Sequence, residues 1–141
     1  MSRHLGREIA LQALFQLEFL PDKKIEDVVA AAAAEHDEKY LKNPNIISFA
    51  KDLIKGVLEN LKEIDFLIEK AAKGWKIVRM GYVEKNIMRM SIYEIKFAPQ
   101  CLPASIAVNE AVELAKHYCD EDTPKFVNGV MGTIAESIEN K

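Results

Sequence analysis

Two adjoining segments decide the fold: Ile106-Ala107-Val108-Asn109-Glu110-Ala111-Val112-Glu113-Leu114-Ala115-Lys116-His117-Tyr118, and then Cys119-Asp120-Glu121-Asp122-Thr123-Pro124-Lys125-Phe126-Val127-Asn128-Gly129-Val130-Met131. Val108, Ala111, Val112 and Ala115 recur at helical spacing, with polar Asn109, Glu113 and Lys116 between them. The second helix opens on a cap signal, Asp122 or Thr123 as N-cap with Pro124 at the first helical position. Its apolar stripe is Val127, Val130, Met131, Ile134 and Ile138. The loop between them is short and acidic, so the two helices must pack as antiparallel neighbours.

Lys125 and Phe126 fall in the first turn of that last helix. Free backbone N–H groups and a partial positive charge gather at a helix start. A cation and an aromatic ring there suit a phosphate and a stacked base. The plainer reading makes Phe126 a core residue and Lys125 a solvated one, since aromatics on helices are usually core. Phe126 lies about 100° around the helix from Val127, which places it at the edge of the core with one face open.

Working outward, residues 3–20 read as a helix after Ser2, with Leu5, Ile9, Ala13, Leu14 and Leu17 forming a wide apolar arc that Pro21 ends. Asp22 is a cap candidate for a second helix over Ile25–Glu38, rich in alanine from Ala30 to Ala34. Asn43-Pro44 starts a third helix, carried by Ile46, Ile47, Ala50, Leu53, Ile54 and Val57. Asn60 marks the break before a fourth, which ends at Lys73-Gly74. Trp75 to Tyr82 is a connector. The helix from Val83 to Phe97 is apolar around much of its circumference and is expected at the centre. Seven helices and no strand result: an all-α chain, 1–141 as a single domain of two packed small bundles. Three helices fall before about residue 60 and four in about 61–141.

The 141 residues and 49% hydrophobic content suffice for one real core. No apolar run is long enough for a transmembrane helix. The N-terminal residues lack the apolar block of a secretory signal. Two cysteines, Cys101 and Cys119, make no disulfide framework, so a reduced cytoplasmic setting is expected. The net charge of −3 is uneven. Residues 73–97 hold six Lys and Arg against two acids, +4, while residues 25–72 and 98–141 are each −4. A basic strip between acidic flanks suits a local anionic partner.

Enzyme chemistry finds no foothold. His4, His36 and His117 are scattered, and His117 with Cys101 and Cys119 lacks the spacing of a metal site. There is no phosphate-binding loop and no nucleophile beside the acidic groups. No cofactor or metal is expected, and the chain is read as a non-enzyme.

Several segments together resemble the NusB family of antitermination factors: VNEAVELAKHY and DEDTPKFVNGVM at the C-terminal end, Arg7-Glu8-Ile9-Ala10-Leu11-Gln12-Ala13-Leu14-Phe15 near the start, and Glu84-Lys85-Asn86-Ile87-Met88-Arg89-Met90-Ser91-Ile92-Tyr93-Glu94 between. The resemblance implies binding of boxA single-stranded RNA as a heterodimer with NusE, a small-subunit ribosomal protein, in the complex that carries RNA polymerase past terminators during ribosomal RNA transcription. It carries an RNA surface over to Arg3, Arg7, Asp122, Lys125 and Phe126. A NusE surface carries over to Phe15 and Glu84. Family members also self-associate, so a homodimer is a further partner state. The chain departs from the family in having fewer N-terminal arginines, and in Cys119 where glycine is frequent. Two other readings stand beside this one: an accessory module for a separate RNA-modifying enzyme, and a helical adaptor that binds protein alone.

Overall fold

The computed structural model describes residues 3–36, 38 and 43–139, apart from the side chain of Glu139. Among the described residues every regular element is helical: α1 (Arg3–Phe19), α2 (Ile25–Ala33), α3 (Pro44–Glu59), α4 (Leu61–Ala71), α5 (Tyr82–Ile92), α6 (Ala104–Tyr118) and α7 (Thr123–Glu139). A 3₁₀ turn at Ile77–Arg79 precedes α5, and a π-type turn at Tyr93–Phe97 extends it. The seven α-helices match the seven read from the sequence.

The ends of the helices follow local chemistry. α1 stops before Pro21, which has no N–H to continue the ladder. Ser2, the expected start signal, lies outside the described residues. Asn43 caps α3 by accepting from the Asn45 N–H at 3.0 Å, with Pro44 in the first turn. Asn60 is the joint between α3 and α4, its Nδ2 donating to the Gly56 carbonyl at 2.8 Å. α4 ends where Lys73 and Gly74 both take positive φ, 47° and 98°. Glycine adopts that conformation without steric cost. A Cβ at Gly56 would collide with the Tyr93 ring, so glycine lets α3 approach the π-type turn.

α2 departs from expectation at both ends. Lys24, not Asp22, holds the N-cap position, and no side chain caps the helix. The helix ends at Ala33 rather than Glu38. The Glu35 and His36 N–H groups bond three residues back, to Ala32 and Ala33, in a tightening turn. His36 then meets Gln12 of α1 at 3.0 Å. Residue 37, inside the expected helix, lies outside the described set.

α1 packs on α2, α3 and α5, and α2 also touches α3. α5 packs on α4, α6 and α7 as well as on α1 and α3, and α6 and α7 form the most extensive helix pair. Ser105 and Val108 of α6 share a groove with Gly132, Ala135 and Glu136 of α7, the antiparallel arrangement expected from their short loop. α5 is central, as expected, yet it is not apolar all round. Every residue from Lys85 to Ile92 is buried, including Lys85, Asn86, Arg89 and Ser91. Burying those groups is tolerable because each is partnered.

Candidate nucleic-acid interface

Two ion clusters hold the helices around α5. In the first, the Arg7 guanidinium of α1 makes a two-pronged pair with Glu94 in the π-type turn, Nε to Oε1 at 2.7 Å and Nη2 to Oε2 at 2.8 Å. Glu110 of α6 stands 3.7 Å from Nη1. Burial alone would lower the Arg7 pKa, but the hydrogen bonds and charge of Glu94, with the charge of Glu110, raise it. In the second, Arg89 donates to both carboxylate oxygens of Asp65, at 2.8 and 2.9 Å, and to Glu18 at 3.0 Å. Lys85 Nζ lies 3.5 Å from Glu18. Asn86 adds bonds to Glu18 and to the Tyr82 carbonyl. Among the described residues no buried side-chain polar atom lacks a partner.

These clusters change the reading of the basic residues. Arg7 was expected beside Arg3 on an RNA surface, one turn along the same face. It is instead only 5% exposed, with its guanidinium turned inward to Glu94. The basic strip of residues 73–97 is likewise partly internal, since Lys85 and Arg89 are buried against acids. Lys96 pairs with Glu63. Lys73, Lys76 and Arg79 are exposed and form no salt bridge with a described residue.

Arg3 is exposed, its guanidinium 5.5 Å from the centre of the Phe49 ring, a cation–π distance. Arg3 and Phe49 line a cleft of about 370 Å³ with Asp52, Tyr93 and Gln100. The other expected contacts lie at the start of α7. Asp120 takes the side-chain capping part, accepting from Thr123 N at 3.1 Å and from Thr123 Oγ1 at 2.8 Å. Those bonds lower its pKa. The Asp122 carbonyl receives the first helical bond, from the Phe126 N–H at 3.3 Å. Lys125 is exposed and Phe126 is half-buried, packed on the core with its ring against Trp75 at 6.3 Å and 66°. Phe126 therefore sits at the core edge, as its helical position implied.

Trp75, Met80, Glu84, Asp120, Asp122, Thr123 and Phe126 line one cleft of about 200 Å³. Glu84, expected with Phe15, thus shares a cleft with Asp122 and Phe126. Its carboxylate accepts the Gly81 N–H at 2.6 Å and so closes the start of α5. Cys119 is half-buried close by, and burial, followed by the charges of Glu84 and Asp120, pushes its thiol pKa up.

Phe15 belongs to a different surface. It is 38% exposed and packs edge-on against Phe19 (5.2 Å) and Tyr82 (6.4 Å), with Phe19 and Tyr82 5.0 Å apart. Lys85 Nζ stands 4.7 Å from the centre of the Tyr82 ring. Beside these rings is an apolar cleft of about 390 Å³, lined by Leu11, Phe15, Ala31, Ala32, Val83 and Tyr118 among others. The Tyr118 pKa is pushed up to about 12 by burial and then by Glu8, whose charge and hydrogen bond favour the neutral phenol. Sequence reasoning missed Phe19, Tyr82, Phe49 and Trp75. Phe19 was within reach, four residues after Phe15 and so on the same helix face.

The described surfaces and the helical arrangement match proteins of one kind. The NusB family model matches residues 4–136. The chain belongs to the NusB family. It is 43% identical over 143 residues to the transcription antitermination protein NusB of Pelotomaculum thermopropionicum, covering 99% of this chain and 92% of the relative. With the NusB of Carboxydothermus hydrogenoformans it is 36% identical over 139 residues, covering 99% and 96%. The solved T. maritima NusB superposes with a TM-score of 0.83 at 34% identity, over 96% of this chain and 92% of that one. A crystal structure of antitermination factors NusB and NusE in complex with dsRNA matches with a TM-score of 0.80 at 31% identity, over 96% of both chains. The family is one of antitermination proteins, not of enzymes.

Proposed function

We propose that this chain is a cytoplasmic transcription antitermination factor that binds boxA RNA as a heterodimer with NusE and supports ribosomal RNA transcription. The observation that carries the RNA part is the half-buried Phe126 ring at the start of α7, beside exposed Lys125 and Asp122. A ring held by the core on one side stacks a base on the other, while a nearby cation holds phosphate. Asp122 accepts hydrogen bonds from base N–H groups and repels phosphate, which sorts base edge from backbone. Arg3 supplies a second phosphate contact, and Arg7 holds α1 so that Arg3 stays outside. NusE is assigned to Phe15 with its neighbours Phe19 and Tyr82, and to Glu84 at the edge of the RNA cleft. The likeness to a solved complex of NusB and NusE with dsRNA supports pairing with NusE and contact with RNA, while the stacking site rests on the Phe126 geometry. In this reading the helices before and after residue 60 act as two subdomains that together present the surfaces.

The test is a titration of labelled boxA RNA with the chain, with and without saturating NusE. Of the two N-terminal arginines only Arg3 faces solvent, so weak binding alone and tighter binding with NusE are expected. Absence of RNA binding in both arms would overturn the proposal.

A further inference from the structure

The chain has one tryptophan, Trp75, and it lies in the connector between α4 and α5. The connector is fastened at three points. Ile77 and Met80 are buried in the core, and the Ile77 N–H donates to Glu69 Oε2 at 2.8 Å. Those anchors leave Trp75 54% exposed, against the ring of Phe126. A large exposed indole is poorly explained by stability, since half its surface still meets water. It does supply a flat π-face beside the ring already assigned to RNA.

We infer that Trp75 is a second RNA-contacting ring, forming with Phe126 an L-shaped seat for one unpaired nucleobase. This rests on the RNA reading above and adds a residue to it. Three observations favour a base over other occupants. The two rings meet at 66°, so a base stacked on the indole face has the Phe126 ring as a side wall. The cleft, about 200 Å³, is smaller than the about 300–1,000 Å³ of pockets that enclose whole small-molecule ligands. Exposed Lys73 and Lys76 flank Trp75 in the chain and Lys125 precedes Phe126, and none forms a salt bridge with a described residue. The seat's own charged lining is Glu84, Asp120 and Asp122, which accept from base N–H groups and turn phosphate away, and the lysines next to the rings in the chain are left to meet the backbone. A duplex cannot offer this contact, because its base faces are covered by their neighbours in the stack.

Because Trp75 is the sole tryptophan, its fluorescence reports this cleft directly. The full chain with NusE is titrated with single-stranded boxA RNA, following Trp75 emission (against tryptophan-containing NusE as a blank where needed) and, in parallel, anisotropy of labelled RNA. The expected result is quenching that saturates together with the anisotropy. Trp75→Ala should weaken binding about 5- to 150-fold, the equivalent of one lost stack. Trp75→Phe should recover most of that loss, and thermal melts of both variants should stay near the parent. A role confined to propping Phe126 would not quench Trp75 on RNA addition. If RNA binds by anisotropy while Trp75 emission and the affinity of Trp75→Ala are unchanged, the inference falls and the RNA reading stands. If a fully paired duplex of the same sequence quenches Trp75 equally, base stacking is refuted. If no RNA binds the parent protein in either state, both fall.

Discussion

The protein carries two exposed aromatic patches on either side of the start of α5, and they are built for different company. Phe15, Phe19 and Tyr82 form three edge-on rings next to an apolar cleft of about 390 Å³. The cation against the Tyr82 ring, Lys85, is buried and occupied by Glu18. Trp75 and Phe126 form a two-ring seat, with exposed lysines flanking both rings in the chain. Apolar rings with no unpaired cation in their cleft suit a protein surface, where aromatic anchors in desolvated pockets dominate the energy. Rings beside base-accepting carboxylates, Glu84, Asp120 and Asp122, with exposed lysines next to them in the chain, suit an RNA base and its backbone. What separates the two patches is the charge beside the rings: a lysine already paired with an acid at the first, and carboxylates in the cleft with unpaired lysines next in the chain at the second.

The largest effect should come from the support of the first patch. Arg89→Ala would leave Asp65 and Glu18 without their guanidinium inside the helix packing, and should cost about 3 kcal/mol of stability, the low end for a broken buried pair. The carboxylates are about a fifth exposed, so water offsets part of the loss. A urea melt checks this; a change below about 0.5 kcal/mol, the range of ordinary surface substitutions, would mean the cluster is not structural.

A crossed pair of substitutions sharpens the contrast between the patches. Phe126→Ala should weaken RNA binding by about 1–3 kcal/mol. Phe15→Ala should weaken NusE binding by about 2 kcal/mol, as for a central aromatic anchor. Each should leave the other's ligand nearly untouched when the RNA and NusE titrations are run separately. Equal damage to both ligands by both variants would merge the patches into one surface.

The smallest effect separates the two N-terminal arginines. Arg3→Ala should lower the salt slope of RNA binding by about 0.7, one phosphate contact on a single strand, with little change in the melt. Arg7→Ala should leave the slope alone and lower the melting temperature, because its guanidinium serves Glu94. A slope reduced by Arg7→Ala in protein that melts normally would return Arg7 to the RNA surface.

The helices were legible in the sequence because their signals are local. The 3.6-residue stripe from Val127 to Ile138, the Asn43-Pro44 start and the Gly74 stop each act within a few residues. The destinations of charges were not legible, because their partners are remote. Arg7 and Glu94 are 87 residues apart in the chain, and Arg89 and Glu18 are 71 apart. Nothing near Arg7 distinguishes it from Arg3, so both read as surface cations. At the site, Phe126 was legible from its place on a periodic helix, and its half-buried state followed from its angle to Val127. Trp75 was not, because a short connector has no periodicity from which to infer a face, and its exposure depends on Ile77 and Met80 being anchored in the core.

The central claim is that RNA and NusE bind together on this chain, and anisotropy of labelled boxA RNA tests it most directly. The chain is titrated into the RNA at one fixed salt concentration, without NusE and with NusE at saturation. Affinity that rises with NusE is the predicted result; affinity for boxA RNA that is the same in both arms would contradict it.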